Sequence, residues 1–501
     1  VPLTEKAFQT WIQEAETHPR LANYDKFNDY WLGNYDDIVF PAKVEAMLGI
    51  DISVKANMCF PIINIKTQFV LGTGVTIEAS GADATDEQIT ESERWLTDVY
   101  ENNKLLYNNM LKLIRTTAIK GDGFARISMP DEDAEGDLKD NIKVRVLNPS
   151  LVFPKYMSDD YEEMELCAIK TFDVNDLGVF EWTAQVWYED VIQIYKLDTT
   201  DPTLDAKAAV ETDHEWWLQD TLDNEFGFIP VVHFPNLISD QEFGVSDLHN
   251  VTTLQAALLK YLTDQAITAD YQAYKRIFVI GAMTAQGKQW DVSPGTVTEI
   301  PDPNAKVTEI EAGDLKAFID AADQTIDLMM IVTQTPAIAL GRSDGGVPSG
   351  YSLEVQYLPL KAKTQETIAI LQAGFQELNR MLFKIGESEV GSENVKADVI
   401  FSGGLPLDKA TLVEQHEIQI NNRTLSRASA MKEEGVADVE AEQELIDSED
   451  FNVNARRRLA IETESVQGQI DRNELTTTPR PNEVSETEAQ RARERPPIRG
   501  Q

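Results

Sequence analysis

Cysteine is nearly absent from this chain: two among 501 residues, Cys59 and Cys167. They lie far apart in apolar or mixed surroundings. That excludes a disulfide framework and any cysteine-based zinc spacing, and predicts two free, mostly buried thiols. Histidine is also scarce. The five residues at 18, 214, 233, 249 and 416 are scattered, and none sits in a local Ser/His/Asp or Cys/His set. Long apolar runs are missing: nothing approaches the roughly 18 residues a membrane helix needs, so no membrane partner is expected. Val1 to Arg20 lacks a basic-then-apolar leader pattern, so the expectation is a protein soluble and intracellular when made. Cations are in deficit, 44 Lys plus Arg against 85 Asp plus Glu, a formal charge of −41. Such a chain cannot coat itself in nucleic acid by bulk attraction, which needs cations facing phosphate. Any role with DNA must be one where sticking is unwanted, or one carried by a small basic patch.

The catalytic signatures are missing as well. A phosphate-cradling loop needs Gly, four residues, then Gly-Lys-Ser/Thr. Gly281 to Lys288 has one residue too many, and Gln289 stands where the magnesium-holding hydroxyl belongs. His214-Glu215 begins like a zinc-protease helix, but Leu218 replaces the second histidine; His416-Glu417 fails likewise at Ile420. Asp131, Asp133, Glu135 and Gly136 resemble the start of a calcium loop, yet its twelfth position is Ile142, which has no carboxylate. No catalytic residue, cofactor site or metal site is expected. Lys120-Gly-Asp-Gly123 reads only as a glycine-rich turn between a helix and a strand.

What is present is length and pattern. A chain this long implies two to four domains. The first 120 residues read as mainly helical, with Trp95, Val99, Leu105, Leu106, Met110, Leu113 and Ile114 at helical spacing. Phe69 to Glu78 has strand-like composition around a glycine turn. From Phe124 to His233 short strands are expected, at 124–128, 142–147, 184–188 and 192–195. The fold class is therefore α+β, a mixed body with at least one small antiparallel sheet. From Gly244 an apolar stripe predicts a helix to about Tyr274, capped by Ser246 or Asp247. Strands at 277–281, 295–300 and 307–310 follow around proline turns. A second helix runs from Asp314 to before Pro336. Leu340 to Gly350 holds four glycines in eleven residues, a flexible loop. A long helix from Tyr351 to about Ile385 follows, which Pro359 should kink or interrupt. Then come a strand at 395–401, a helical C-terminal domain, and a polar Pro/Arg/Glu-rich tail expected to be disordered.

Several stretches together carry a resemblance: Ala118-Ile-Lys-Gly-Asp-Gly-Phe-Ala-Arg-Ile127, Asn148-Pro-Ser-Leu-Val-Phe-Pro154 with Asp159-Asp160, and Gly227-Phe-Ile-Pro-Val-Val-His-Phe234. Gly244-Val-Ser-Asp-Leu248, Ser349-Gly350, Thr424-Leu-Ser-Arg-Ala-Ser429, and Val436 to Glu444 complete the set. In order and spacing the chain resembles the portal proteins of tailed phages and related viruses, in the branch found in long-tailed siphoviruses, from about Asn57 to Glu449. The resemblance implies a structural protein, not an enzyme. It implies a closed homo-oligomeric ring, commonly of about twelve subunits, at one capsid vertex of the virion. Its partners would be double-stranded viral DNA in the channel, the terminase, the major capsid protein, the head–tail adaptor and a scaffold. The parts would be a wing at 1–243, stem helix 1 at 244–275, a clip at 276–312 and stem helix 2 at 313–336. Next would come a tunnel loop with long wing helix and return strand at 337–404, a crown at 405–465 and a disordered tail at 466–501.

The resemblance makes Leu340, Gly341, Arg342, Ser343, Asp344, Gly345, Gly346 and Val347 the DNA-facing tunnel loop. Lys288, Gln289, Trp290 and Asp291 would lie in the clip that docks motor and adaptor, with Trp290 as an anchor. Arg342 would touch phosphate transiently, or else pair with an acidic neighbour. An acidic wall would repel phosphate over a screening length of roughly 8 Å at physiological salt, and DNA would slide. Two other classes compete: a nuclease or ATPase of the packaging machine, and an acidic soluble binding protein. The helical stripes also fit an ordinary hairpin inside a monomer.

Overall fold

A computed structural model describes residues 2–35, 54–82, 84–129, 136–158, 163–174, 180–197, 216–239, 241–273, 277–280, 297–300, 304, 315–342, 350–390, 395–402, 416–433, 442–443 and 445–446. Two units separate, Val1–Leu405 and Pro406–Gln501. Both helices and small sheets are present, as the α+β reading expects.

The first unit opens with helices α1 (Glu5–Glu16), α2 (Pro19–Leu32) and α3 (Cys59–Leu71), then strand β1 (Val75–Ser80). The expected strand-like segment from Phe69 thus begins as the last turn of a helix. The apolar run of α3 is buried among other helices, and Gly72 and Gly74, both at positive φ, turn the chain before the strand starts. Helix α4 (Asp86–Asn102) starts with a capping box: the Thr85 hydroxyl accepts from the Gln88 amide at 3.3 Å, while Gln88 accepts from the Thr85 amide at 3.0 Å. A break at Lys104 (φ 55°) separates it from α5 (Asn108–Lys120).

Strand β2 (Asp122–Ser128) pairs antiparallel with β3 (Lys143–Leu147), which the short helix α6 (Leu138–Asn141) precedes, and with β9 (Val231–Pro235). Between them in sequence runs an antiparallel meander: β4 (Val152–Tyr156), β5 (Met164–Val174), β6 (Phe180–Trp187), β7 (Val191–Leu197) and β8 (Trp216–Asp223). Strands β5, β8 and β9 are additions to the sequence reading. The polar outer face of β8 and its tryptophan pair hide the alternation on which that reading depends. One face of the meander packs on α1 through Phe8 and Ile12. There Lys170 pairs with Glu16 and lies 5.1–5.7 Å from the rings of Trp182, Trp216 and Phe153.

Helix α7 (Thr252–Ala273) leads to β10 (Ile277–Ile280), which pairs in parallel with β11 (Val297–Ile300). The expected strand at 307–310 lies outside the described residues. Helix α8 (Leu315–Thr333) returns against α7 and stops before Pro336. Helix α9 (Gly350–Val390) is continuous through Pro359, so of the expected kink or interruption the interruption does not occur. Pro359 and Val355, whose carbonyl loses its donor, both face solvent, so water can take the orphaned group. Leu371, Phe375, Leu378 and Leu382 of α9 sit in the largest core, with β1, α4 and the β2 sheet around them. Strand β12 (Lys396–Phe401) closes on β1 from more than 300 residues away, with Val75 opposite Phe401. In the second unit α10 (Arg427–Glu433) is capped by Ser426, whose hydroxyl accepts from the Ser429 amide at 3.0 Å.

Candidate functional site

Four of the stretches singled out in the sequence meet at one place, the root of α7. The C-terminus of α5 turns at Gly121, with φ at 96°. A β-carbon there would lie 2.7 Å from the Gly244 carbonyl, and one on Gly244 would lie 2.3 Å from the Gly121 carbonyl. Two backbones touch where only glycine leaves room. Around this contact the Asn236 amide donates to Gly121 at 2.8 Å and the Asp247 amide to Ala118 at 3.0 Å. Lys120 reaches the Asn148 side chain at 2.7 Å and the Ser150 hydroxyl at 2.9 Å.

Asp122, fully buried, organises one side of the junction. Its carboxylate accepts from the Gly244 amide at 2.8 Å, from His233 Nε2 at 2.7 Å and from the Tyr24 hydroxyl. Tyr156 bonds the other histidine nitrogen, Nδ1, at 2.7 Å. Burial, and then the Asp122 charge, push the Tyr156 phenol well above its ordinary pKa, so it holds its proton and donates. His233 is then placed with its proton on Nε2, a tautomer assigned from this network. The order tyrosine, histidine, aspartate looks like a nucleophile relay. A nucleophile needs a depressed pKa, and here burial does the reverse. The network locks β4, β9, α2 and the α7 root together.

Asp247 organises the other side. Of the two expected caps, Ser246 and Asp247, the Ser246 hydroxyl accepts from the Leu248 amide at 3.0 Å in the turn before α7, which starts at Thr252, and the Asp247 side chain is turned inward. The Asp247 carboxylate meets Lys66 of α3 at 2.5 Å and Lys363 of α9 at 2.7 Å. Lys66 also donates to Asn236 at 2.8 Å, and Lys363 to the Thr333 carbonyl at the end of α8 at 3.1 Å. Burial acts to raise the Asp247 pKa, but the two lysines overcome it and hold it below the usual carboxylate value. Burial draws Lys66 below the usual lysine value despite Asp247. This joint ties α3, the α7 root, the end of α8 and α9.

The junction was only half visible in advance. Lys120, Asp122 and Asp247 lie in motifs that the sequence singles out, but only Asp247 carries an expected role there, as one of two candidate caps. Lys66 and Lys363 were missed. For Lys66 a signal existed: it is the lone charge in Cys59–Leu71, a mostly apolar helix. Of the proposed loop residues, Leu340 ends a 3₁₀ turn (Ala337–Leu340), Gly341 closes it in the left-handed region, and Arg342 follows. Arg342 lies 2.7 Å from Asp323 and 3.4 Å from Asp327, both on α8. Ser343, Asp344, Gly345, Gly346 and Val347 lie outside the described residues, as do Lys288, Gln289, Trp290 and Asp291. Both cysteines are buried and unpaired. Among the described residues there is no cluster of metal-ligating side chains, and no helix is long and apolar enough to cross a membrane.

A search among curated proteins finds no match. A family model described as phage portal protein, SPP1 Gp6-like, matches residues 13–454.

Proposed function

Because that match spans most of its length, the chain belongs to the SPP1 Gp6-like phage portal proteins, and from this premise we propose that it forms a closed ring at one capsid vertex, through which viral DNA is packaged and ejected. The family is structural rather than enzymatic. One observation supports a ring over a lone subunit. Helix α8 buries Ala322, Thr325, Met329 and Thr333, yet its other side leaves Leu328, Ile331 and Val332 open, Ile331 at 70% exposure. Leu358 and Val355 on α9 are open too. A helix apolar on more than one face needs more than one partner, and a neighbouring subunit supplies the second.

In this reading α7 and α8 are the stem helices, and residues 276–312, with Lys288 to Asp291, form the clip that docks first the terminase and then the adaptor. Leu340 to Val347 form the tunnel loop against DNA, and residues 1–243 the wing. Residues 405–465 form the crown. The net charge of −41 supports a wall that repels phosphate and lets a duplex slide. The buried joint of Lys66, Asp247 and Lys363 would carry force between stem and wing, because it bonds both stem helices to α3 and α9.

Mass measurement of the purified protein tests the proposal. The expected result is a ring near twelve times the 56.2 kDa chain, without nucleotide turnover. A stable monomer that hydrolyses nucleotide would refute it.

A further inference from the structure

We propose that Asp323 and Asp327 mask Arg342, so that the guanidinium beside the DNA path cannot grip the duplex as it passes. The proposal rests on the reading of Leu340 to Val347 as the tunnel loop.

Three observations carry it. First, the arginine is held where the aspartates are. The Arg342 amide donates to the Ala337 carbonyl at 3.0 Å, and Gly341, at φ 76°, turns the backbone so that the side chain starts beside α8. Second, the two aspartates are four residues apart on one helix, so they share a face. One guanidinium nitrogen lies 2.7 Å from Asp323 and the other 3.4 Å from Asp327. Two carboxylates on one guanidinium leave the group with a net negative charge, and a phosphate approaching Arg342 must also approach both. Third, all three side chains are open to solvent, at 38% for Arg342, 52% for Asp323 and 60% for Asp327. Such exposed pairs are weak and exchange readily. The mask therefore lowers the residence of phosphate on the arginine without freezing the loop base in place.

The chemistry of the ligand follows. Arg342 in its free state is suited to a phosphodiester oxygen, with its planar fork of donors. In a ring every subunit would present one such fork, and a duplex held by all of them would stall. Masking trades that grip for passage.

The test uses the assembled ring and a fluorescent duplex of about 30 base pairs, with ring mass checked first for every variant. The double variant Asp323→Asn/Asp327→Asn should bind about fivefold more tightly than the unaltered ring at low salt, the scale set by an exposed ion pair. Its affinity should fall more steeply with salt, by about 0.9 in log–log slope for each guanidinium that reaches a phosphate. Adding Arg342→Gln should abolish both gains. A charge-matched control, Asp320→Asn/Glu354→Gln, removes two exposed carboxylates that no ion pair ties to Arg342. It should give a smaller gain and no Arg342-dependent slope. If the double variant gains nothing, or keeps its gain without Arg342, or the control matches it, the mask is overturned. Failure of the loop reading looks different: deleting Arg342 to Val347 would then leave packaging normal, even where the double variant shows its Arg342-dependent gain.

Discussion

Replacing Asp247 by alanine should be among the most damaging single changes in the first unit. The side chain is 1% exposed, its partner Lys66 3% and Lys363 11%. Removal leaves two lysines close together with no counter-charge between them. Breaking a buried pair in this way costs about 3–5 kcal/mol, a large part of the stability of most domains. With unfolding entropy near 2.1 cal/mol/K per residue over the compact unit Val1–Leu405, the midpoint should fall by about 4–6 °C. Lys363→Met is the informative contrast. It leaves the Asp247 charge balanced by Lys66, while the Thr333 carbonyl loses its donor and Asp247 Oδ1 loses its 2.7 Å contact. The cost should be about 1–2 kcal/mol, or about 1–2 °C. Thermal unfolding of both variants, followed by circular dichroism at matched ring concentration, reads the difference. Equal losses, or a loss under about 1 kcal/mol for Asp247→Ala, would refute the joint as a buried charge cluster. The pH dependence has a defined sign. The folded pKa of Asp247 is depressed, so its stabilisation is present above the unfolded value of about 3.9 and is lost as pH falls through the lower folded value. The folded pKa of Lys66 is also lowered, so between that value and about 10.4 the unfolded chain binds more protons. Stability should climb with pH there, and Lys66→Met should abolish the climb.

Three further outcomes are expected. Gly121→Ala places a methyl 2.7 Å from the Gly244 carbonyl at a φ of 96°; it should destabilise by about 2 kcal/mol or more, checked by denaturant midpoint. Cys59 and Cys167 are buried, and burial pushes each thiol up to about 12, so both should resist a thiol reagent at pH 8 until the protein is unfolded. Ile331→Glu adds a charge to the open face of α8; the ring should dissociate while the unfolding free energy of the separate subunit changes by no more than about 0.5 kcal/mol, read by mass and circular dichroism together.

Legibility in the sequence followed the range of the forces involved. Apolar spacing revealed α7, α8 and α9, since helical periodicity is a local property. The stop before Pro336 was readable for the same reason. Pro359 does not interrupt α9, because the cost of a proline depends on whether water or protein faces the freed carbonyl, and that is a matter of packing. Strand β8 was unreadable because an edge strand need not alternate. Ser246 and Asp247 before an apolar stripe both fit a cap; Ser246 caps the turn, and the aspartate is drawn inward by two cations.

By itself the sequence determined the succession of the long helices, the α+β class and the absence of the familiar catalytic spacings, and its ordered stretches carried the resemblance to the family. Each follows from neighbours along the chain or from composition. Only the tertiary structure decided that Gly121 touches Gly244, that Asp122 joins Tyr24 to His233, and that Asp247 holds Lys66 and Lys363. Lys66 and Asp247 are 181 positions apart. No local rule links them, because a buried charge needs its partner in space, and the fold alone chooses which partner arrives.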